Sequence, residues 1–191
     1  MTDEQAIVTI DPMTGATTPL STVNTMMEIA DGAPVIVDVN PAADRLRFMS
    51  GTTNHRINMD TGEVTVDGGL AWEAGDANAE TGLMVAATAY SNSYGKPEGT
   101  AMYNIDTGLS ALLQQTAPND GTNASIGMVG ATLEGPVGFD IGTNEDGTNT
   151  AWLAANGGLH TVDLATGALS GTWAITGTDQ VLRDLTILPA M

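Results

Sequence analysis

Cysteine is absent from the 191 residues, which excludes disulfides, thiolate nucleophiles and Cys-ligated zinc. Basic residues are almost absent too: Lys96, Arg45, Arg47, Arg56 and Arg183 stand against 23 acidic ones. The acids are near ordinary usage, so the net charge of −18 reflects missing cations rather than crowded carboxylates. A surface of that sign repels phosphate backbones and anionic lipid, so nucleic acid is not an expected partner. Long apolar runs are missing, and none approaches the ~20 residues that cross a bilayer. Membrane insertion is therefore not expected. The opening MTDEQAIVTI has neither the basic nor the apolar region of a secretion signal. Helical periodicity is nearly absent, with only Thr22–Ile29 able to make a turn or two before Asp31-Gly32.

What is present is a repeat. A period-2 stretch runs into a tight turn at Asp11-Pro-Met-Thr-Gly15, at Asp60-Thr-Gly62, at Asp106-Thr-Gly108 and at Asp163-Leu-Ala-Thr-Gly167. The four Asp residues are 49, 46 and 57 apart by subtraction of their positions. Asp folds its carboxylate back onto backbone N–H groups, and Gly supplies the positive φ that closes a hairpin. Short apolar segments at Val35–Val39, Met84–Tyr90, Val137–Ile141 and Leu185–Leu188 recur outside these hairpins, and Leu46–Met49 and Ala151–Ala155 supply further strands. About four strands per unit gives an all-β, propeller-like single domain of about four blades. Its units are expected at 34–68, 80–118 and 125–176, with 1–33 and 177–191 pairing to close the ring. Five blades or a β-sandwich are the alternatives.

Two motifs imitate chemistry. Paired Asp-Thr-Gly tripeptides mark aspartic proteases, in which two carboxylates share a proton. Here the copies lie too close in sequence for two lobes, and sister turns at Asp11 and Asp163 carry insertions, so they read as structural turns. The loop at Asn144-Glu145-Asp146-Gly147 resembles part of a calcium loop without the EF-hand's first Asp or final bidentate Glu. A polar hairpin loop is the leading reading. Weak calcium binding through Asn144, Glu145 and Asp146 is the alternative, and no other cofactor is expected.

Three of the four arginines, Arg45, Arg47 and Arg56, fall together. They are expected to pair with Asp38, Asp44 and Asp60. If they do not, they form an anion pocket beside Asp38 and Asp44, using the guanidinium fork. His55 and His160 lie in different repeats with no nucleophile motif nearby, and read as strand residues with satisfied rings. The few tryptophans and tyrosines read as core rather than as a sugar-stacking platform. The 91–99 loop, Ser-Asn-Ser-Tyr-Gly-Lys-Pro-Glu-Gly, is long and polar, a usual place for contacts.

The stretch Val37-Asp38-Val-Asn40-Pro41-Ala-Ala-Asp44-Arg45-Leu-Arg47, followed by Asn54-His-Arg56-Ile-Asn58-Met-Asp60-Thr-Gly62, resembles a bacterial family catalogued as domain of unknown function 4394. The likeness continues through Gly75–Asn78, Ala87–Asn92, Tyr103–Gly108, Pro118–Gly121 and Val137–Asp140 to the fourth hairpin. The resemblance implies an exported protein, secreted or periplasmic, with propeller-like repeats. Members carry an export signal and extra strands before the first Ile-Asp-Pro-x-Thr-Gly, whereas this sequence starts almost at that motif. The expected function is a non-catalytic module that binds a protein, glycan or small anionic ligand through loops at one end. A propeller-type hydrolase or lyase acting on an anionic substrate is the first alternative, and a self-assembling structural module the second.

Overall fold

The computed structural model describes residue 1 and residues 5–188, and among them no residue is helical. The Thr22–Ile29 stretch, expected to make a helical turn, leaves β2 at Thr22 and continues as irregular chain. β1 (Ala6–Ile10) and β2 (Thr17–Thr22) form a hairpin. β3 (Ile36–Asn40), β4 (Arg45–Ser50), β5 (Thr53–Asn58) and β6 (Val64–Val66) form a four-stranded antiparallel sheet in chain order. The second sheet runs β8 (Val85–Tyr90), β9 (Met102–Asp106), β10 (Ala111–Ala117), β11 (Thr122–Met128), with the short β7 (Ala71–Trp72) parallel to its outer edge. This sheet passes the expected boundary at residue 118, because β11 pairs with β10. The third holds β12 (Gly138–Thr143), β13 (Asn149–Ala155), β14 (Gly158–Val162) and β15 (Leu169–Ala174).

The molecule is thus all-β, with several sheets rather than the two of a sandwich. Alternation of apolar and polar residues places one face of each sheet on its neighbour. Ile7 and Val23 from the hairpin region pack on Leu46, Phe48 and Ile57 of the first sheet. Ile36 and Met49 of that sheet meet Tyr90, Met102 and Leu113 of the second. Ile105 and Leu112 of the second then meet Phe139, Ile141 and Leu153 of the third. The first strands lie together, β8 packing against both β3 and β12. Residues 184–187 lie against β12, so closely that a Cβ at Gly138 would stand 2.6 Å from Leu185 N. No sheet pairing is assigned to the segment expected to be a lone strand over Val181–Leu188.

The hairpin turns correct the register of the repeat. Asp11 Oδ1 accepts from Met13 N and Thr14 N, and Asp163 Oδ1 accepts from Ala165 N and Thr166 N. In the second copy this role falls to Asn58, whose Oδ1 accepts from Asp60 N and Thr61 N, not to Asp60. The fifth residue of each turn takes positive φ: Gly15 70°, Gly62 73° and Gly167 80°. In the Asp106 turn that conformation falls on Ser110, φ 53°, rather than on Gly108. The anchors are therefore Asp11, Asn58, Asp106 and Asp163, and the two Asp-Thr-Gly tripeptides occupy different turn positions. Asn40-Pro-Ala-Ala-Asp44 repeats the device, with Asn40 Oδ1 accepting from Ala42 N and Ala43 N and Asp44 at φ 51°.

Two variants check this register by denaturant unfolding. Asn58→Ala should cost about 1 kcal/mol, the usual worth of such a hydrogen bond, whereas exposed Asp60→Ala should stay within about 0.5 kcal/mol of the parent. The opposite order would restore Asp60 as the anchor.

Candidate functional site

Antiparallel register lines up Asp38 on β3, Arg47 on β4, Arg56 on β5 and Thr65 on β6 along one face of the first sheet. Despite lying opposite Asp38, Arg47 turns to Asp67, just past β6, with Nη1 to Oδ2 at 2.7 Å. Nη1 also donates to Asn54 Oδ1, Nη2 to Asn119 Oδ1 and Nε to the Tyr90 hydroxyl. Arg56 donates from Nε and Nη2 to the two oxygens of the same Asp67, at 2.7 and 2.8 Å. That hydrogen bonding, with the charge of Asp67 and against the opposing effect of burial, pushes the Arg56 guanidinium further above its usual value. Burial pushes the Tyr90 phenol up, while Arg47 opposes the shift.

The expected partners of the arginines are therefore corrected. Asp67 takes two of them, and Asp38, Asp44 and Asp60 take none. Arg45 donates to the backbone carbonyls of Ala43 and Asp44, and the Asp44 carboxylate receives Lys96 Nζ at 2.6 Å. With its side chain only 1% exposed and its donors directed to protein acceptors, Arg47 presents nothing to an incoming anion. A guanidinium in this position is a clamp between sheets.

The clamp continues as a polar seam. Asn54 Nδ2 donates to the carbonyls of Gly68 and Pro118. Gln115 Nε2 also donates to Pro118 O, and its Oε1 accepts from Asn104 Nδ2. Asn104 reaches Asn123 as well and accepts from the Thr88 hydroxyl. Backbone approaches backbone along the same line, where a Cβ at Gly121, φ 74°, would stand 2.3 Å from Gly69 O. Every buried side-chain nitrogen and oxygen among the described residues has a partner. Asn54, Asp67, Asn104, Gln115 and Asn123 carry no local motif that marks them out in the sequence. Amides recurring inside otherwise apolar strands were the available signal, since strands bury such groups only in hydrogen-bonded networks.

Three carboxylates gather where the first strands meet. Asp38 Oδ1 accepts from Val39 N and Oδ2 from Tyr90 N of β8, both at 2.7 Å. Asp140 repeats this on β12, accepting from Ile141 N and from Ile187 N of the C-terminal segment. Asp184 accepts from Leu185 N in the same manner. Burial, aided by the negative charges of Asp140 and Asp184 and opposed by the two backbone hydrogen bonds, raises the Asp38 carboxyl to about 7. Burial likewise raises Asp184. Asp38 therefore holds β3 to β8 and Asp140 holds β12 to the C-terminal segment, and the trio brings β3, β12 and residue 184 within electrostatic reach of one another.

The loops leaving these first strands form one continuous polar face. From the 91–101 loop, Asn92 N donates to Asn149 Oδ1, and Ser93 N and Oγ to Thr143 Oγ1. Tyr94 OH donates to Glu145 Oε1, and Lys96 reaches across to Asp44 in the β3–β4 turn. The middle sheet's loop is thereby tied to those of both neighbours, with Tyr94 and Lys96 exposed. In the 144–148 loop, Asp146 Oδ1 accepts from Thr148 N, which holds its carboxyl below the usual range. Asn144 closes the turn through its backbone, its N–H to Thr148 O and its carbonyl receiving Gly147 N. No group of three His, Asp or Glu side chains placed to hold a metal occurs among the described residues.

His55 Nδ1 lies 2.6 Å from Asn54 O and His160 Nδ1 lies 3.1 Å from Thr172 Oγ1, so both rings are engaged locally. The aromatics divide. Tyr90 is core, but Trp173 is 50% exposed, a departure from the expected core role. It packs against Trp152 with ring centroids 5.6 Å apart.

The distinctive Asn-Pro…Asp-Arg-Leu-Arg stretch thus builds a turn and a buried clamp. No curated protein matches the chain. A family model does, over residues 1–186, and its description is Domain of unknown function (DUF4394). The match takes in the three complete sheets, the hairpin and the first-strand carboxylates together, and the chain belongs to this family.

Proposed function

We propose that the protein is an exported, non-catalytic binding module: a propeller-like ring of four units that contacts a protein or glycan through its first-strand loops. The observation that carries this reading is the side-chain knitting of the 91–101 loop to the loops of both flanking sheets. Loops fixed in this way lose little conformational freedom on contact, and preorganisation of that kind favours affinity. Exposed Tyr94 offers a flat ring with a polar tip, a common anchor in such surfaces. The export part of this reading comes from the family resemblance noted in the sequence.

The hydrolase or lyase reading would rest its anionic substrate on Arg45, which donates only to backbone carbonyls, since Arg47 and Arg56 are committed to Asp67. A carboxyl titrating near neutrality at Asp38 is the one observation in its favour.

The test is a glycan microarray together with a panel of purified bacterial surface polysaccharides. A hit should weaken about tenfold or more in Tyr94→Ala and Lys96→Ala, with the melting temperature unchanged. Binding indifferent to both substitutions would move the site elsewhere. Turnover of any panel member would favour the enzyme.

A further inference from the structure

We infer that the pocket between the third sheet and the 131–133 segment is a binding site for the N-acetyl group of an amino sugar. It lies at the β13–β14 turn, at the opposite end of β13 from the loop face, so it is a second site and does not rest on the reading above. Leu133, Ala155 and Gly158 form a buried floor, and Ala131, Leu169 and Ala174 flank it, around a volume of about 260 Å³. Hydrogen bonds fix the walls. Asn156, at φ 51°, accepts from Glu134 N and donates to Thr132 O, which ties the 131–134 segment to the turn. A site built this way needs little rearrangement on binding.

One titratable side chain enters this apolar setting with an atom unused. Register places half-buried His160 opposite Leu153, on the face of the third sheet that meets the second. Its Nδ1 lies 3.1 Å from Thr172 Oγ1, while its Nε2 has no hydrogen-bond partner among the described residues. Gly158 makes room for the ring, since a Cβ there would stand 3.0 Å from Nε2. With the Thr172 hydroxyl donating to Nδ1, the ring proton sits on Nε2 and is offered to the pocket. The Thr172 oxygen keeps lone pairs for a donor of its own.

Charge and size specify the occupant. The chain carries 23 acids, yet neither Asp nor Glu lines this pocket, and neither Lys nor Arg does. The net charge of −18 disfavours an anionic ligand, and an ammonium finds no carboxylate in the wall. A neutral group is left, with an acceptor for Nε2–H, a donor for Thr172 Oγ1 and a short alkyl end. An acetamido group has all three: its carbonyl oxygen meets His160, its N–H meets Thr172 and its methyl meets Ala155 and Leu133. The volume is below the roughly 300–1,000 Å³ of sites for drug-sized ligands, and Ala131, Thr172 and Ala174 are exposed. The acetyl end therefore enters while the rest of the ligand stays outside. There the rim offers Asn156 and Thr172, uncharged polar groups that suit sugar hydroxyls and favour an amino sugar over an acetylated peptide.

The test is titration of the whole protein with N-acetylglucosamine, followed by NMR of the ring nitrogens and the methyl groups. Saturable shifts are expected at His160 Nε2–H and at the methyls of Leu133, Ala155 and Ala174, with glucose and glucosamine inert. His160→Ala should weaken binding about tenfold or more, and so should Gly158→Ala, whose added Cβ crowds Nε2. His55→Ala, on the first sheet, should leave it unchanged. Tyr94→Ala should too, which separates failure here from failure of the loop-face reading. Absence of any shift at tens of millimolar sugar overturns the proposal. So do equal shifts from glucose, or ring nitrogen resonances that place the proton on Nδ1. N-acetyl-alanine methylamide binding as tightly as the sugar also overturns it, since the pocket then belongs to an acetylated peptide. Where a variant misfolds, the Nε2–H resonance of the parent still decides.

Discussion

Replacing Arg47 with alanine is expected to lower the unfolding free energy by about 3 kcal/mol, near the lower end of the range for breaking a buried ion pair. The lower end applies because Asp67 keeps its bidentate partner Arg56. What is lost is the set of acceptors that Arg47 gathers from two sheets: Asn54, Asp67, Asn119 and the Tyr90 hydroxyl. Asn54 Oδ1 and the Tyr90 hydroxyl are left buried without this donor while Asp67 keeps Arg56, and unsatisfied groups account for most of such a penalty. Arg47→Lys should recover little, because one ammonium cannot reach acceptors spread around a planar fork. Arg56→Ala should cost less, about 1 kcal/mol, since its side chain is 32% exposed and solvent screens the pair. Chemical denaturation of the three variants gives the ranking. Arg47→Ala within about 1 kcal/mol of the parent would show that the seam is not held by this residue. On a domain whose total stability is of the usual 5–15 kcal/mol, a loss of about 3 should also appear as a marked drop in melting temperature.

The clamp joins residues that lie far apart in sequence. The clustering of Arg45, Arg47 and Arg56 was visible, and so was the alternation that places Arg47 and Arg56 on one face. Their partner was not. Asp67 lies beyond β6 and meets Arg47 only after three strands have paired, and Asn119 reaches it from 72 residues away. Nearer carboxylates such as Asp38 and Asp44 are the natural candidates in one dimension, yet the pleat and the turns send them elsewhere. The strands themselves were legible because alternation and Asp-Gly punctuation act locally. The turn register was only half legible, since Asp-Thr-Gly at Asp60 and at Asp106 is one tripeptide in two frames. Only the hydrogen bonds to Asn58 reveal which frame applies. The loop face shows the same division. Its polarity is local and readable, whereas the bonds from Asn92, Ser93 and Tyr94 to the β12–β13 hairpin depend on the packing of β8 beside β12.

The Asp38 carboxylate should make stability fall as pH rises from about 4 to about 7. Its ordinary value is 3.8 and its folded value is about 7, so over that window the folded chain holds a proton that the unfolded chain has released. By linkage, stability is then greatest at the acidic side and lost as pH climbs through the folded value. The full shift bounds the effect at roughly 4 kcal/mol, and partial exposure of the residue reduces it to about 2. The groups facing this carboxyl come from every neighbouring strand: Arg47 opposite it on β4, Tyr90 on β8, Asp140 on β12 and Asp184 on the C-terminal segment. Arg47 is drawn away to Asp67, so the three acids meet without a cation among them. Acidification also relieves the repulsion of a chain at −18, which raises stability by a second route. Asp38→Asn separates the two. The amide keeps one acceptor for a backbone N–H and offers donors toward Asp140 and Asp184, as the protonated acid would. The variant should therefore match the parent near pH 5, exceed it near pH 8 and show a shallower slope between. Equal slopes for parent and variant would assign the whole pH dependence to general charge, and would leave Asp38 ionised between the first strands throughout.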